Sequence, residues 1–431
     1  MPDLPTLSLD AARALSGPDG LRDRRAAAAE RFTAEPLPTA EEEVWRYSRV
    51  AEIDLAAMVP ALAPTDAAAA LPDRVESILA LARAEGPAAT VVIVDGHVVR
   101  LDVDPGWEAK GLVVGRPAID GTGLDALGAG GSAPDAFAVA NDAFAPDPVV
   151  IDVPRVLDVT APVVIVRWRT ATPGTVAFPR IVIRVGEAAA VAVLDVDLSA
   201  PDATGLALPV VELVAARGAR LGYLGVQDLG LDAWQITTQL GDAGQEATLS
   251  STAAVFGGAY ARLRTDCRLS GRGATGNLRA AYFGEGAQTL DFRTFQDHAA
   301  PDTRSDLLFK GAVGGVSRSV YTGLIRVRPD ARGTDAFQTN RNIKLSEGAW
   351  AESVPNLKIE NNDVHCSHAS AVGPVDTEQV FYLESRGVPT PVAERLIVAG
   401  FFDDVLDTLP VAAAAGPLRS LINGKLDRRV P

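Results

Sequence analysis

Residues 180–198 read RIVIRVGEAAAVAVLDVDL, two runs rich in Val, Ile and Leu on either side of the small turn VGEA at Gly186. β-Branched side chains favour a pleated backbone, and Gly-Glu-Ala between two such runs marks a turn between strands. The pattern repeats outward in both directions, as VVIVRW (163–168), LPVVELV (208–214), ATLSSTAAVF (247–256) and GLIRVRP (323–329). Turns of small residues separate the runs, with glycines at Gly186, Gly218, Gly244, Gly273, Gly286, Gly315, Gly333 and Gly348. The intervals between them are 32, 26, 29, 13, 29, 18 and 15, clustering loosely near 14 and 28. From about Val149 this continues for some 220 residues without one convincing helix. A solenoid, in which each rung buries its apolar face on its neighbours, fits better than a sandwich. On pattern alone a large sandwich or double barrel stays open.

The flanks read as helical. Ser8–Leu15 and Asp19–Phe32 are rich in Ala, Arg and Leu, and Thr39 with Glu42 three residues on forms a candidate capping box followed by Val44, Trp45 and Tyr47. Pro60–Pro72 is an Ala/Pro linker, and Pro72–Ala84 a short amphipathic helix. TVVIVDGHVVRLD around Asp95-Gly96 is a β-hairpin, GAGGSAPDA (128–136) a mobile loop, and Asp135–Phe144 a helical patch. Past Gly373-Pro374, Asp376–Ser385 is helical and closed by Gly387. Thr390 as N-cap and Pro391 at the first helical position then open a helix whose apolar residues run from Val392 to Leu409, and Pro417–Leu426 is the last. Three parts are expected: a mainly helical N-terminal domain with a hairpin (1–148), a β core (149–375) and a C-terminal helical domain (376–431).

With 40 Lys+Arg against 55 Asp+Glu in 431 residues, the net charge of −15 argues against nucleic acid and anionic lipid as partners. The N-terminus shows no basic segment followed by an apolar one, and no apolar run reaches the ~18 residues needed to cross a bilayer, so a cytoplasmic location is expected. No P-loop, GxSxG, HExxH or EF-hand loop occurs. Metal and nucleophile chemistry must come from two Cys and four His. His97 reads as a surface turn residue and His298 as a solvated loop residue. In LKIENNDVHCSHASAVG, however, His365, Cys366 and His368 fall within four positions. On a strand Cys366 and His368 share a face, a thiol and an imidazole suited to iron, zinc or copper. Two ligands do not close a site, so the rest would come from another segment or another chain. A small buried Cys beside a hydrogen-bonded His, or a Cys–His nucleophile pair, are the competing readings; no orienting carboxylate supports the latter.

Residues 320–388 carry several linked motifs: G-x-I-x-V at Gly323–Val327, T-D-A-F-Q-x-N at Thr334–Asn340, P-x-L-x-I at Pro355–Ile359, C-S-H at Cys366–His368 and D-x-x-x-x-F-Y-L-x-S-R-G at Asp376–Gly387. With E-x-x-W-R-Y at Glu42–Tyr47, this order resembles the SufB/SufD family of iron–sulfur cluster assembly proteins, and C-S-H followed by a small residue is most like SufD. The chain departs from common SufD patterns at Asn361-Asn362 and at His365. The resemblance implies a mainly β fold, a right-handed parallel β-helix core between N- and C-terminal helical domains. It implies a non-catalytic scaffold that pairs through its β-helix with a SufB-like scaffold and binds a SufC-like ATPase through its C-terminal helices, with a homodimer allowed in isolation. His368, with Cys366, would hold iron or an iron–sulfur cluster transiently, at a site completed by SufB. A flavin is allowed by the family but unsupported by any residue here. Phe381, Tyr382, Arg386, Phe401 and Phe402 fall in the expected ATPase-docking region. A SufB-like scaffold holding the cluster itself, or a β-helix carbohydrate-active enzyme, are the alternatives.

Overall fold

The computed structural model describes residues 6–63, 71–170 and 172–428. Among these residues sixteen strands coil into a parallel β-solenoid of eight rungs, each rung placing one strand in each of two sheets. The first sheet holds β3 (Val149–Val153), β5 (Arg180–Val185), β7 (Val210–Ala215), β9 (Trp234–Ala243), β11 (Tyr260–Leu269), β13 (Thr289–His298), β15 (Arg318–Val327) and β17 (Trp350–Ile359). The second holds β4 (Val163–Arg169), β6 (Ala190–Ser199), β8 (Arg220–Asp228), β10 (Thr248–Val255), β12 (Thr275–Gly284), β14 (Arg304–Val313), β16 (Thr334–Lys344) and β18 (Val364–Pro374). Register partners lie one rung apart: Tyr260 pairs with Thr289, Thr289 with Arg318 and Arg318 with Trp350, steps of 29, 29 and 32 residues. The glycine spacing near 28 is therefore a whole rung, and the spacing near 14 is half of one. Gly218, Gly273, Gly286, Gly315 and Gly333 take φ between +57° and +71° at these corners, a region that a side chain would strain.

Alternation sends every second side chain inward. An unbroken apolar column runs up the axis from Val91 to Tyr321. At its upper end Tyr282, Phe292, Phe309 and Tyr321 stack alternately from the two sheets, with successive ring centroids 4.4, 5.8 and 5.4 Å apart. The outer faces are covered by the flanks. On the first sheet lie α1 (Leu9–Ala14), α2 (Asp19–Ala34) and α4 (Ala136–Phe144), with Phe32, Trp45, Phe137 and Phe144 packed on Phe178, Ile236 and Tyr260. On the second lie α3 (Asp73–Glu85) and the C-terminal helices, with Phe402, Leu406, Leu418 and Ile422 packed on Leu224, Phe256 and Phe283. Two buried lysines fasten the latter: Lys310 reaches the Phe401 carbonyl (2.8 Å) and Asp404, and Lys425 reaches the Phe256 carbonyl (2.9 Å) and Glu285.

Several local expectations need correction. Thr39 N–H donates to Glu42 (2.8 Å), half of the capping box, but only a short 3-10 turn, Glu43–Trp45, follows. The hairpin β1 (Ala89–Val94) and β2 (His97–Val103) is present, yet β1 pairs in parallel with β4 and so extends the second sheet. The Gly-rich segment 128–136 is tied down, because the Gly128 and Gly130 amides donate to the buried Glu212 carboxylate (3.0 and 2.9 Å). His97 is buried and its Nε2 meets the Ala61 carbonyl at 3.2 Å. His298 is buried between Thr303 and Ser305 hydroxyls (2.8 and 2.9 Å), and burial drives its pKa down to about 4. The C-terminal segment divides into α5 (Thr377–Ser385), α6 (Thr390–Phe401), a short turn Asp403–Leu406 and α7 (Ala415–Asp427), with Pro389 rather than Thr390 at the N-cap of α6. Part of the Ala/Pro linker, 64–70, and the tail 429–431 lie outside the described residues.

Candidate metal centre at the open rung

The last rung differs from those beneath it. No residue of β17 or β18 is fully buried, although the strands one rung down bury most of their inward positions. Leu357 (36% exposed) and Ile359 (43%), inward by alternation with the buried Ile325 and Val327 below them, have no rung above. β18 is held at its start by a polar turn, where Asn361 Nδ2 donates to the Pro329 carbonyl (2.6 Å) and Gly333 N–H donates to the Asp363 carbonyl (2.7 Å). His365, Cys366, Ser367 and His368 then stand over Asp335, Ala336, Phe337 and Gln338 of β16.

Cys366 is half-buried and packs with Ile325, Val327, Ala331 and Ala336, so it faces the solenoid axis. His368, two residues on, shares that face but is exposed, because nothing lies above it. His365 and Ser367 face outward. Burial, reinforced by the Asp335 charge, pushes the Cys366 thiol up from its ordinary value. It is therefore a thiol near neutrality, a poor nucleophile without an activating base, and a ligand only to a metal that displaces its proton. Among the described residues no three His, Cys, Asp or Glu side chains converge on one point. Chemically this is half a site, one soft and one borderline donor on the inner face of an uncovered rung. Cys267 differs in kind: fully buried on β11, its pKa is pushed up to about 12, chiefly by burial.

The residues expected to dock an ATPase divide into two groups. Phe381 (71% exposed) and Tyr382 (58%) project from α5, with the Arg386 guanidinium 5.3 Å from the Tyr382 ring. Val392 and Leu396 on α6 are exposed too, giving the α5–α6 hairpin an apolar surface. Phe401 is half-buried under Lys310, and Phe402 is wholly buried against the second sheet. The N-terminal motif serves the fold: Trp45 lies 3.8 Å under the Arg262 guanidinium, and the Arg46 carbonyl accepts from Arg293 (2.5 Å). Tyr47 reaches the open rung, its ring 5.8 Å from that of Trp350.

Residues 168–401, from the end of β4 to the end of α6, match the family model described as SUF system FeS cluster assembly, SufBD core domain. The chain belongs to the SufBD family. An iron-sulfur cluster assembly SufBD family protein of Mycobacterium leprae (strain TN) is 34% identical over 319 residues, 72% of this chain and 79% of that protein. A SufBD family protein of Mycobacterium bovis is 37% identical over 225 residues, half of this chain but only 57% of the relative's length. The iron-sulfur cluster assembly protein SufD of Escherichia coli (strain K12) is 33% identical over 165 residues, 38% of this chain and 39% of that protein. The SufBD match thus covers the rungs from β5 onward, the C-S-H strand and the exposed α5–α6 surface together. Sequence reasoning missed Gln338, one strand beneath His368, and the reach of Tyr47 to the open rung. Both lie inside quoted motifs, but only the rung register shows what they stand beside.

Proposed function

We propose that this chain is a SufD-like scaffold subunit, working with a SufB-like scaffold and a SufC-like ATPase in assembling iron–sulfur clusters. The observation that carries this reading is the open rung, where Cys366 and His368 share an inward face that has two donors and no cover. Iron or a nascent cluster is the cargo, not a resident group. A second β-solenoid laid on β17 and β18 would supply the missing ligands, satisfy the free strand edges and cover Leu357 and Ile359. The ATPase would take the apolar surface of α5 and α6, Phe381, Tyr382 and Leu396, with Arg386 at its rim. The chain itself then performs no catalysis; it orders ligands. A cytoplasmic location suits this role, and no helix among the described residues is long and apolar enough to cross a membrane.

The test is co-expression with SufB- and SufC-like partners, anaerobic reconstitution, and cluster content read by absorption and iron analysis. His368→Ala is expected to leave the complex intact and to cut cluster content severely; an intact complex with unchanged content refutes the ligand role. A second substitution separates the docking surfaces. Phe381→Glu with Leu396→Glu should abolish retention of the ATPase while the SufB-like partner still co-purifies. Because both residues are exposed, the fold should be unaffected, which unchanged thermal unfolding would verify.

A further inference from the structure

The T-D-A-F-Q-x-N motif lies on β16, directly beneath the strand that carries Cys366 and His368. Most of its polar side chains are consumed locally. Thr334 donates to the Ala331 carbonyl (2.8 Å). Asn340 donates to the Tyr282 hydroxyl (3.1 Å), which donates to Asn342 (2.8 Å), which donates back to Asn340 (2.8 Å). Gln338 is the exception. It is 1% exposed, and neither its Nε2 nor its Oε1 has a hydrogen-bond partner. An amide buried this way is costly unless something completes it. The amide lies against Gly323, where an added Cβ would meet the Tyr321 hydroxyl, Gln338 Nε2 (2.5 Å) and Gln338 Cδ (2.9 Å), so both side-chain ends would have to move to admit it. In register, the residue above Gln338 is His368. Inward side chains one strand apart on the same face are within reach of one another.

The geometry points to Gln338 as the positioning residue for His368: its Oε1 accepts the N–H of one imidazole nitrogen, leaving the lone pair of the other nitrogen to face the metal cargo. This rests on the ligand role proposed for His368. An imidazole that ligates a metal normally donates its second ring N–H to such a partner, which fixes both tautomer and ring orientation. The exposed His368 has room to turn onto the amide, and covering the rung with a partner solenoid would remove the water that competes for it.

Three substitutions in the co-expressed complex test this. Gln338→Met keeps length and burial but removes the acceptor; it is expected to lower cluster content or iron retention roughly tenfold or more. Gln338→Glu keeps an acceptor and should restore most of that loss. Gln296 on β13 is an equally buried and unpartnered amide, but its register partners are Cys267 and Ile325, so Gln296→Met should leave cluster content unchanged. The double variant Gln338→Met with His368→Ala should be no worse than His368→Ala alone, since the two residues act as one unit. If Gln338→Met matches wild type while His368→Ala fails, Gln338 has no positioning role and the ligand reading survives. If His368→Ala is itself silent, the ligand reading falls first. Equal losses in Gln338→Met, Gln338→Glu and Gln296→Met would assign the amide a purely structural part and overturn the inference.

Discussion

The two ends of this solenoid are built from the same kind of strand and finished in opposite ways. At the first end the chain closes itself: β2 adds antiparallel to β1, and Val113–Gly115 adds antiparallel to β3, so both sheets end in short reversed strands. At the last end β17 and β18 stop parallel to their neighbours, with edges that no described strand pairs, exposed inward-facing apolar residues and the thiol and imidazole donors. Exposed strand edges invite pairing with another chain, and proteins ordinarily blunt them. One end therefore spends sequence on closure and the other does not, and the partner proposed above would lie on the open one.

If closure and openness are the real distinction, the same type of substitution should act very differently at the two levels. The largest effect is expected in the sealed column. Phe292→Ala removes a fully buried ring lying between Tyr282 and Phe309, and should cost about 3–5 kcal/mol of unfolding free energy by denaturant titration. A loss near 1 kcal/mol would mean that the axis is loosely packed, and that the contrast with the open rung is overdrawn.

A smaller effect should mark the boundary between the two regimes, at His298. Burial depresses its pKa to about 4, so the folded state prefers the neutral ring, and its stabilisation is complete only above the unfolded value of about 6.5. As the pH falls from 7 to 5 the unfolded chain binds a proton that the folded one resists, removing about 2 kcal/mol from this residue alone. In His298→Gln the stability difference between pH 7 and pH 5 should shrink by about that amount. An unchanged difference would place the imidazole in water rather than between Thr303 and Ser305.

What was legible in the sequence divides along the same line. The sealed rungs announce themselves, because turn glycines and β-branched runs are local signals and recur every rung. His365, Cys366 and His368 stand out by composition, and alternation alone puts two of them on one face. His298 and His97 were misread because acidic or turn-forming neighbours in sequence say nothing about which residue a rung stacks above or below. The Gly-rich loop was misread for the same reason: its anchor, Glu212, is more than 80 residues away. The opening of Thr390-Pro391 was misplaced by one residue, since Pro389 has the extended backbone that a cap requires just as well. Gln338 sits in a recognisable motif, yet its idle amide appears only when the neighbouring rungs have been laid down.

The smallest expected effect on the chain itself is also the sharpest probe of the open end. Leu357 lies above the buried Ile325 but keeps about a third of its surface in water, so Leu357→Ala loses only part of a leucine's transfer energy and leaves no closed cavity. The unfolding free energy of the isolated chain should fall by about 1 kcal/mol or less. The same substitution should weaken association with a SufB-like partner by a larger factor, because in the complex that side chain would become core. Titration by calorimetry, set beside denaturant unfolding of the free chain, measures both quantities on one variant. A stability loss of several kcal/mol with unaltered association would mean that the last rung is completed from within this chain, and the partner surface would have to be sought elsewhere.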